Sequence, residues 1–193
     1  MPAPGRTTTA EIVAAGRRIV ASRGVEALTM QAVADQVGVR APSLYKRVRS
    51  RDELLKLVVE AAIDELEARL RSAAGLIESD PRAAIADLAR ELRAFAHDDP
   101  SGFRMIFGSV PAEARPDIAV LARSAAPLIE ATTRLVGADE ALDAARTVTA
   151  WANGFLAMEL TGGFQLGGDV DRAFEWGLAR VIAAVSAEQK PAG

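Results

Sequence analysis

Residues 29–48 of the chain read TMQAVADQVGVRAPSLYKRV. The first apolar residues of this stretch recur at helical spacing, on one face of a short helix: Met30, Val33, Ala34 and Val37. Gly38 follows where that helix must end, since glycine adopts the left-handed backbone conformation at little cost. A second apolar pair, Leu44 and Val48, lies four residues apart. The pattern predicts two short helices joined by a tight turn, a helix-turn-helix.

The second of these helices has a polar outer face. Tyr45, Lys46 and Arg47 lie away from Leu44 and Val48, so the helix presents a hydroxyl group and two positive charges. The major groove of DNA is wide enough to admit an α-helix. The segment therefore predicts sequence-specific DNA binding. The alternative is that these are ordinary solvent-facing residues of a surface helix.

Charge is distributed unevenly along the 193 residues. Residues 1–55 contain nine Lys or Arg and five Asp or Glu, an excess of four positive charges. The rest of the chain contains 14 basic and 21 acidic residues, an excess of seven negative charges. The overall net charge of −3 therefore conceals a basic N-terminal part, which suits a protein that places one end on phosphate groups.

Composition narrows the class of protein further. Half of the residues are hydrophobic, but no window approaches the roughly 18 to 20 consecutive apolar residues of a membrane span. The N-terminus, MPAPGRTTTAE, lacks the apolar run of a signal peptide. The chain has no cysteine, which excludes disulfides, thiol catalysis and cysteine-ligated metal. We expect a cytoplasmic protein without a membrane partner.

Nearly the whole chain has the spacing and capping signals of helices, so we predict an all-α fold of about nine helices. The first is expected over about residues 8–23, before Gly24. Ser50 and Glu53 have the spacing of a capping box that opens a long helix. Pro127 should break or kink the helix around it. The tails MPAPG and EQKPAG are expected to be disordered.

Three segments resemble the TetR family of bacterial transcriptional regulators: AAGRRIVASRG (14–24), LTMQAVADQVGVRAPSLYKRV (28–48) and RSRDELL (49–55). Their order, spacing and position agree with the N-terminal domain of that family. The stretch TAWANGFLAMELTGGF is similar to the penultimate helix of one C-terminal subgroup. The resemblance implies a three-helix DNA-binding head over residues 1–50. It implies a larger helical ligand-binding and dimerisation body over residues 51–193.

The resemblance also implies contacts with DNA. Thr29 corresponds to a position that offers its hydroxyl to a backbone phosphate. Tyr45 and Lys46 correspond to further phosphate contacts, and Arg51 to a phosphate-binding lysine. These contacts would hold the head on double-stranded DNA without reading its sequence.

The start of the second short helix is where the family reads base edges. The resemblance assigns this role to Arg40, Pro42 and Ser43. The sequence departs from the family pattern at two positions here. Arg40 stands where many members have a capping serine or threonine, and Val48 stands where a phenylalanine is usual.

Bulky residues are scarce in the alanine-rich body, and the candidates for an effector pocket come from them. Most would ordinarily be core, but concentrated between closely packed helices they also suit a pocket. His97 is the only histidine, and it is either a residue at a helix C-terminus or a hydrogen-bond donor in the pocket. The candidate residues are Phe95, His97, Phe103, Met105, Phe107, Trp151 and Phe155.

The last two helices each carry one apolar seam. Such seams pair helices, and two helices from each of two chains would form a four-helix dimer interface. Packing within one chain is the alternative. The seam residues are Val148, Phe155 and Met158 in the first helix, and Phe174, Leu178, Val181 and Val185 in the second.

The leading hypothesis is a ligand-responsive transcriptional regulator that is not an enzyme. It would repress by binding a near-palindromic operator as a homodimer, and a small apolar or amphipathic effector would release it. The rival is a helical small-molecule-binding protein or enzyme with an incidental helix-turn-helix. The sequence shows no nucleophile–base pair, metal constellation or cofactor loop, so no cofactor or metal is expected.

Overall fold

The computed structural model describes residues 7–186, so the tails MPAPG and EQKPAG lie outside the described residues. Within that range the chain is all helical and has no strand, which confirms the predicted fold class. Two short 3-10 turns, Val25–Ala27 and Ala112–Ala114, accompany nine α-helices in residues 7–186. The helices are α1 (Thr9–Arg23), α2 (Met30–Val37), α3 (Ala41–Leu44), α4 (Arg51–Ala73), α5 (Pro81–Asp98), α6 (Pro100–Phe107), α7 (Ile118–Val136), α8 (Ala141–Leu160) and α9 (Val170–Val185).

The chain divides into two compact units. The first unit comprises the residues up to Glu65 together with Asp99–Leu121. The second unit comprises Leu66–Asp98 and the residues from Ala122 onward. The first unit thus contains more than the predicted head, since it includes α6 and more than half of α4; a functional division at residue 50 stays a prediction. Among residues 7–186, no helix combines the length and the apolar run needed to cross a membrane.

The predicted helix-turn-helix is formed by α2 and α3. Thr29 caps α2, because its hydroxyl accepts a hydrogen bond from the Ala32 amide at 3.1 Å. Gly38 ends α2 in the left-handed conformation, with φ 75° and ψ 31°. Leu44 and Val48 are both fully buried. Both apolar sets thus face the core, as predicted. The second helix is shorter than predicted, since it ends at Leu44, and Tyr45, Lys46 and Arg47 lie in the turn that follows it.

The core of the first unit joins the helix-turn-helix to α1, α4 and α6. Close approach of α1 and α4 depends on Gly16, where a Cβ atom would lie only 2.8 Å from Cγ2 of Val58. Each fully buried aliphatic side chain contributes roughly 1.5 to 3 kcal/mol. The largest of these are Ile12, Ile19, Leu28, Leu44, Leu54, Leu55 and Ile63.

Helix caps agree with the sequence signals in most places. Ser50 accepts a hydrogen bond from the Glu53 amide at 3.1 Å, as expected. The carboxylate of Glu53, however, accepts from the Arg49 amide at 2.6 Å instead of completing a box with Ser50. A complete capping box occurs instead between Thr8 and Glu11, at the start of α1. That box follows the same spacing rule but was not predicted.

The second unit is built on mutual packing of α5, α8 and α9. A break at Pro127 does not occur, since α7 runs from Ile118 to Val136 through the proline, and a kink there stays a prediction. Pro127 is buried, so its packing offsets the hydrogen bond that the missing amide cannot make. Buried Thr132 places its hydroxyl 2.9 Å from the carbonyl oxygen of Ala141, which fixes α7 to the first turn of α8.

The turn at Gly38 supplies a direct test of the fold. Gly38→Ala should lower the free energy of unfolding by about 1 to 2 kcal/mol, because a Cβ atom is strained at positive φ. Gly75→Ala is the matched control, since a Cβ atom meets no neighbour within 4 Å at either site and Gly75 does not have positive φ. Urea unfolding measures both. Equal effects of the two substitutions would contradict the role given to the turn.

Candidate nucleic-acid interface

The candidate base-reading and phosphate-contacting side chains lie together on the outer surface of α3 and the turn after it. Half of the Tyr45 side chain is exposed, at 51%, although Leu44 beside it is fully buried. The burial of Leu44 and Val48 turns the opposite face outward. That exposed face contains Arg40, Pro42, Ser43, Tyr45 and Lys46, and exposed Thr29 begins the preceding helix.

The cations on this surface are unpaired. Arg40, Lys46 and Arg47 have no carboxylate partner among residues 7–186. Arginines of the second unit behave differently, and each of three contacts two carboxylates: Arg69, Arg90 and Arg93. Unpaired exposed cations are free to bind phosphate, and this free charge is the main electrostatic feature of the surface.

The N-terminus of α3 has no side-chain cap. Arg40 occupies the cap position with φ −81° and ψ 140°, and its side chain makes no capping hydrogen bond. Pro42 has no amide hydrogen, and the Ser43 amide bonds to the Arg40 carbonyl at 2.8 Å. With arginine at this position α3 lacks a side-chain cap, and Arg40 is exposed at the N-terminal end of the helix.

Arg51 has a role in the structure that the sequence did not suggest. Its Nε donates to the Leu28 carbonyl at 2.7 Å, and its Nη2 donates to the Val25 carbonyl at 3.0 Å. These carbonyls lie 23 and 26 residues earlier in the chain, in the turn that leads to Thr29. Arg51 thus fixes the start of α4 to the start of the helix-turn-helix. Its contact with phosphate stays a prediction.

A second long-range contact of the first unit also escaped the sequence analysis. The Arg17 guanidinium donates to Glu65 at 2.6 Å and to Asp99 at 2.9 Å. Asp99 in turn caps α6 by accepting from the Gly102 amide at 2.8 Å. Arg17 therefore connects α1, α4 and α6, over separations of 48 and 82 residues that no local pattern marks.

The seven candidate pocket residues are divided between the two units. Phe103, Met105 and Phe107 belong to the first unit, where Phe103 and Met105 are buried and the rings of Phe103 and Phe107 lie 4.9 Å apart. The remainder, Phe95, His97, Trp151 and Phe155, belong to the second unit. Their role in binding an effector stays a prediction.

The aromatic residues of the second unit contact one another. Phe155 lies 5.8 Å from Trp151, 5.3 Å from Phe174 and 4.8 Å from Phe164, measured between ring centroids. Phe95 is fully buried beneath the guanidinium of Arg69. The ring contacts join α8 to α9, and the Arg69–Phe95 contact joins α4 to α5, so the rings supply packing whether or not an effector binds among them.

His97 lies in an ion-pair network. Its Nε2 is 3.4 Å from a carboxylate oxygen of Glu159, which also accepts hydrogen bonds from Arg93. Burial raises the pKa of Glu159, but the hydrogen bond and charge of Arg93 outweigh it, so the net pKa lies below its usual value. His97 borders an open cleft of about 370 Å³ in the second unit. Among residues 7–186, no cluster of side chains suits a metal ion.

The predicted dimer residues have unequal exposure. Val148, Phe174 and Leu178 are buried in the core of their own chain, which is the intramolecular packing kept as an alternative. Met158 is 49% exposed, and Phe155, Val181 and Val185 are partly exposed. Beside the buried seam of α9 lies Trp176, which is 60% exposed with the Arg180 guanidinium 3.7 Å from its ring centre.

Two family models match the chain, one over its N-terminal part and one over its C-terminal part. A model described as bacterial regulatory proteins, tetR family, matches residues 6–58. A model described as tetracyclin repressor-like, C-terminal domain, matches residues 85–181, which is half of the chain. The chain belongs to the TetR family of transcriptional regulators.

Relatives and solved structures agree. An uncharacterized HTH-type transcriptional regulator of Mycobacterium tuberculosis, Rv0681, is 28% identical over 162 residues, covering 82% of this chain and 73% of the relative. The regulatory protein SCO4313 has a TM-score of 0.77 and 27% identity, covering 91% of this chain and 95% of its own. A TetR variant from Acinetobacter baumannii in complex with minocycline has a TM-score of 0.69 and 22% identity, covering 92% and 96%, and shows the shared fold.

The structural role of Arg51 can be tested without DNA. Arg51→Gln should lower the free energy of unfolding by roughly 1 to 3 kcal/mol, because charge-assisted hydrogen bonds to two carbonyls are lost. Arg49→Gln is the control, since the Arg49 side chain is 90% exposed and its ion pair with Glu53 spans 3.7 Å. That change should stay within about 0.5 kcal/mol. If urea unfolding shows no difference between the two variants, Arg51 does not support the turn.

Proposed function

We propose that the protein regulates transcription as a homodimer that places α3 of each chain in the major groove of double-stranded DNA. The observation that carries this proposal is the exposed face of α3, where unpaired cations adjoin Ser43 and Pro42. A helix presented in this way, at the end of a helix-turn-helix, suits groove binding. Two such helices related by two-fold symmetry would read half-sites about 34 to 36 Å apart, on a near-palindromic operator.

The contacts would divide into two kinds. Arg40, Pro42 and Ser43 would meet base edges, because they lie at the N-terminal end of α3. Lys46, Tyr45 and Thr29 would meet backbone phosphates, which fix the register of the helix without reading sequence. Arg51 would act chiefly by positioning, since two of its nitrogens are committed to carbonyls.

The dimer interface would use the exposed faces of α8 and α9. Small exposed residues recur along α8 at helical spacing, namely Ala150, Gly154 and Ala157, next to exposed Met158. Trp176 adds a large exposed aromatic surface on α9. Small residues allow close helix approach, and the aromatic ring supplies area to bury. The buried seam would then support these faces from within each chain.

A small apolar or amphipathic effector would release the repressor from its operator. It must bind the released state more tightly than the DNA-bound state, since equal affinity shifts no equilibrium. Support comes from the family and from the related fold that was crystallised with minocycline. The aromatic residues Trp151, Phe155 and Phe95 and the cleft beside His97 are the candidate contacts in the second unit.

Loss of a phosphate contact and loss of a base contact should affect DNA binding differently. Lys46→Ala should weaken binding to all sequences and reduce the log–log salt slope by about 1.8, because each of the two chains loses one phosphate contact worth about 0.9. Ser43→Ala should instead change the base preferred at one position of each half-site, by about 1 to 3 kcal/mol. Fluorescence anisotropy titrations at two salt concentrations measure both effects.

Arg82→Ala is the control for these titrations, because it removes an exposed cation of the second unit. Its salt slope should match that of the wild-type protein. The proposed assignment fails if Lys46→Ala alters sequence preference or if Ser43→Ala lowers affinity for every sequence equally.

The dimer interface is tested by introducing charge on the exposed face. Trp176→Glu should shift the protein from dimer to monomer, because the interface would bury an unpaired carboxylate. Leu76→Glu is the matched control, since Leu76 is also exposed in the second unit but lies in the turn after α4. Sedimentation velocity at micromolar concentration decides the outcome. A dimer that tolerates Glu at position 176 would exclude this face.

A further inference from the structure

A cleft of about 320 Å³ opens within the first unit, and all of its lining residues belong to that unit. On one side lie the end of α1 and the turn Val25–Ala27, and on the other lie α6 and the loop that follows it. The first turns of α4 contribute Arg51 and Leu55. The volume is at the lower end of the range for small-molecule sites, so a small occupant is required.

The cleft has an apolar part. Val25, Val110 and Pro111 line it and are exposed or partly exposed, above a buried floor of Val20, Leu55 and Met105. The three outer residues supply the apolar surface that a ligand would cover. An alkyl chain of a few carbons gains favourable free energy at such a surface.

The cleft also has a cationic part. Arg104 lines it, is exposed, and has no carboxylate or hydrogen-bond partner for its guanidinium within residues 7–186. Arg51 lines it too, with Nη1 at 4.0 Å from Asp52 and the other two nitrogens bound to carbonyls. Glu26 is the one acidic residue of the lining, so two guanidinium groups face one carboxylate.

Hydroxyl groups complete the polar edge of the cleft. Ser101 lies one helical turn before Arg104 in α6, and Ser109 follows the end of that helix. Serine hydroxyls donate or accept as the ligand requires. An unpaired guanidinium beside two hydroxyls and above an apolar floor suits a carboxylate, which a guanidinium binds with two parallel hydrogen bonds.

We propose that this cleft is a binding site for a small aliphatic monocarboxylate. The carboxylate pairs with Arg104, and the alkyl chain lies along Val25, Val110 and Pro111. The site is independent of the effector pocket proposed for the second unit. Its ligand would lie beside Arg51, which fixes the turn before Thr29; any regulatory use of the site rests on the proposed function, but binding itself does not.

The experiment is isothermal titration calorimetry, in which hexanoate is titrated into the full chain in the absence of DNA. Hexanoate should bind saturably at one site per chain. Butyrate, which is two methylenes shorter, should bind more weakly by about sixteenfold, because each methylene that is buried contributes about fourfold. Hexanol, which has the chain but no charge, should also bind at least tenfold more weakly, since it cannot form the charge-assisted pair.

Two variants locate the site. Arg104→Gln should weaken hexanoate binding at least tenfold without changing thermal stability, because its guanidinium has no partner in residues 7–186. Arg115→Gln removes an exposed cation of the same unit outside the cleft and should leave binding unchanged. No saturable binding of hexanoate to the wild-type chain, or equal binding by the two variants, overturns the proposal. Because no DNA is present, failure here is distinguishable from failure of the proposed function.

Discussion

Burial of Leu44 and Val48 is the constraint on which the DNA-facing surface depends. α3 is only four residues long, so its own hydrogen bonds cannot fix its direction, and these two side chains hold it against the core of the first unit. The left-handed turn at Gly38 brings the chain into that position. With one face of the segment buried, Ser43 and Lys46 have no orientation except outward. The side chains that would read DNA are thus oriented by residues that never touch it.

Several arginines of the second unit are paired with carboxylates, whereas cations near α3 are not, and the net charge of the chain does not show this difference. In the second unit, arginines such as Arg93 are held by carboxylates, and they contribute to packing and helix docking. Near α3, Arg40 and Lys46 are left without partners. Because carboxylates neutralise these arginines of the second unit, an external polyanion gains most at the unpaired cations near α3. Arg51 lies between these cases, since its charge is used internally, on two carbonyls of the turn before α2.

Local sequence signals predicted most of the fold, but they could not predict contacts between residues that are far apart in the chain. Helix spacing and glycine position were sufficient for α1, α2 and the turn at Gly38. The partners of Arg17 and Arg51 are tens of residues away, and no spacing rule relates them. The seam containing Phe174 was visible, but periodicity cannot distinguish a partner within the chain from a second chain, and the structure buries that residue internally. At Pro127 the helix does not break, because tertiary packing of α7 outweighs one lost hydrogen bond.

The central claim is that two copies of α3 read DNA together, and selection of bound fragments from random duplexes by the purified full chain tests it most directly. The selected fragments should contain an inverted repeat whose half-sites are centred about one helical turn apart, with affinity that falls steeply as salt is raised. Enrichment of a single half-site, or of no sequence at all at any salt concentration, would contradict this claim.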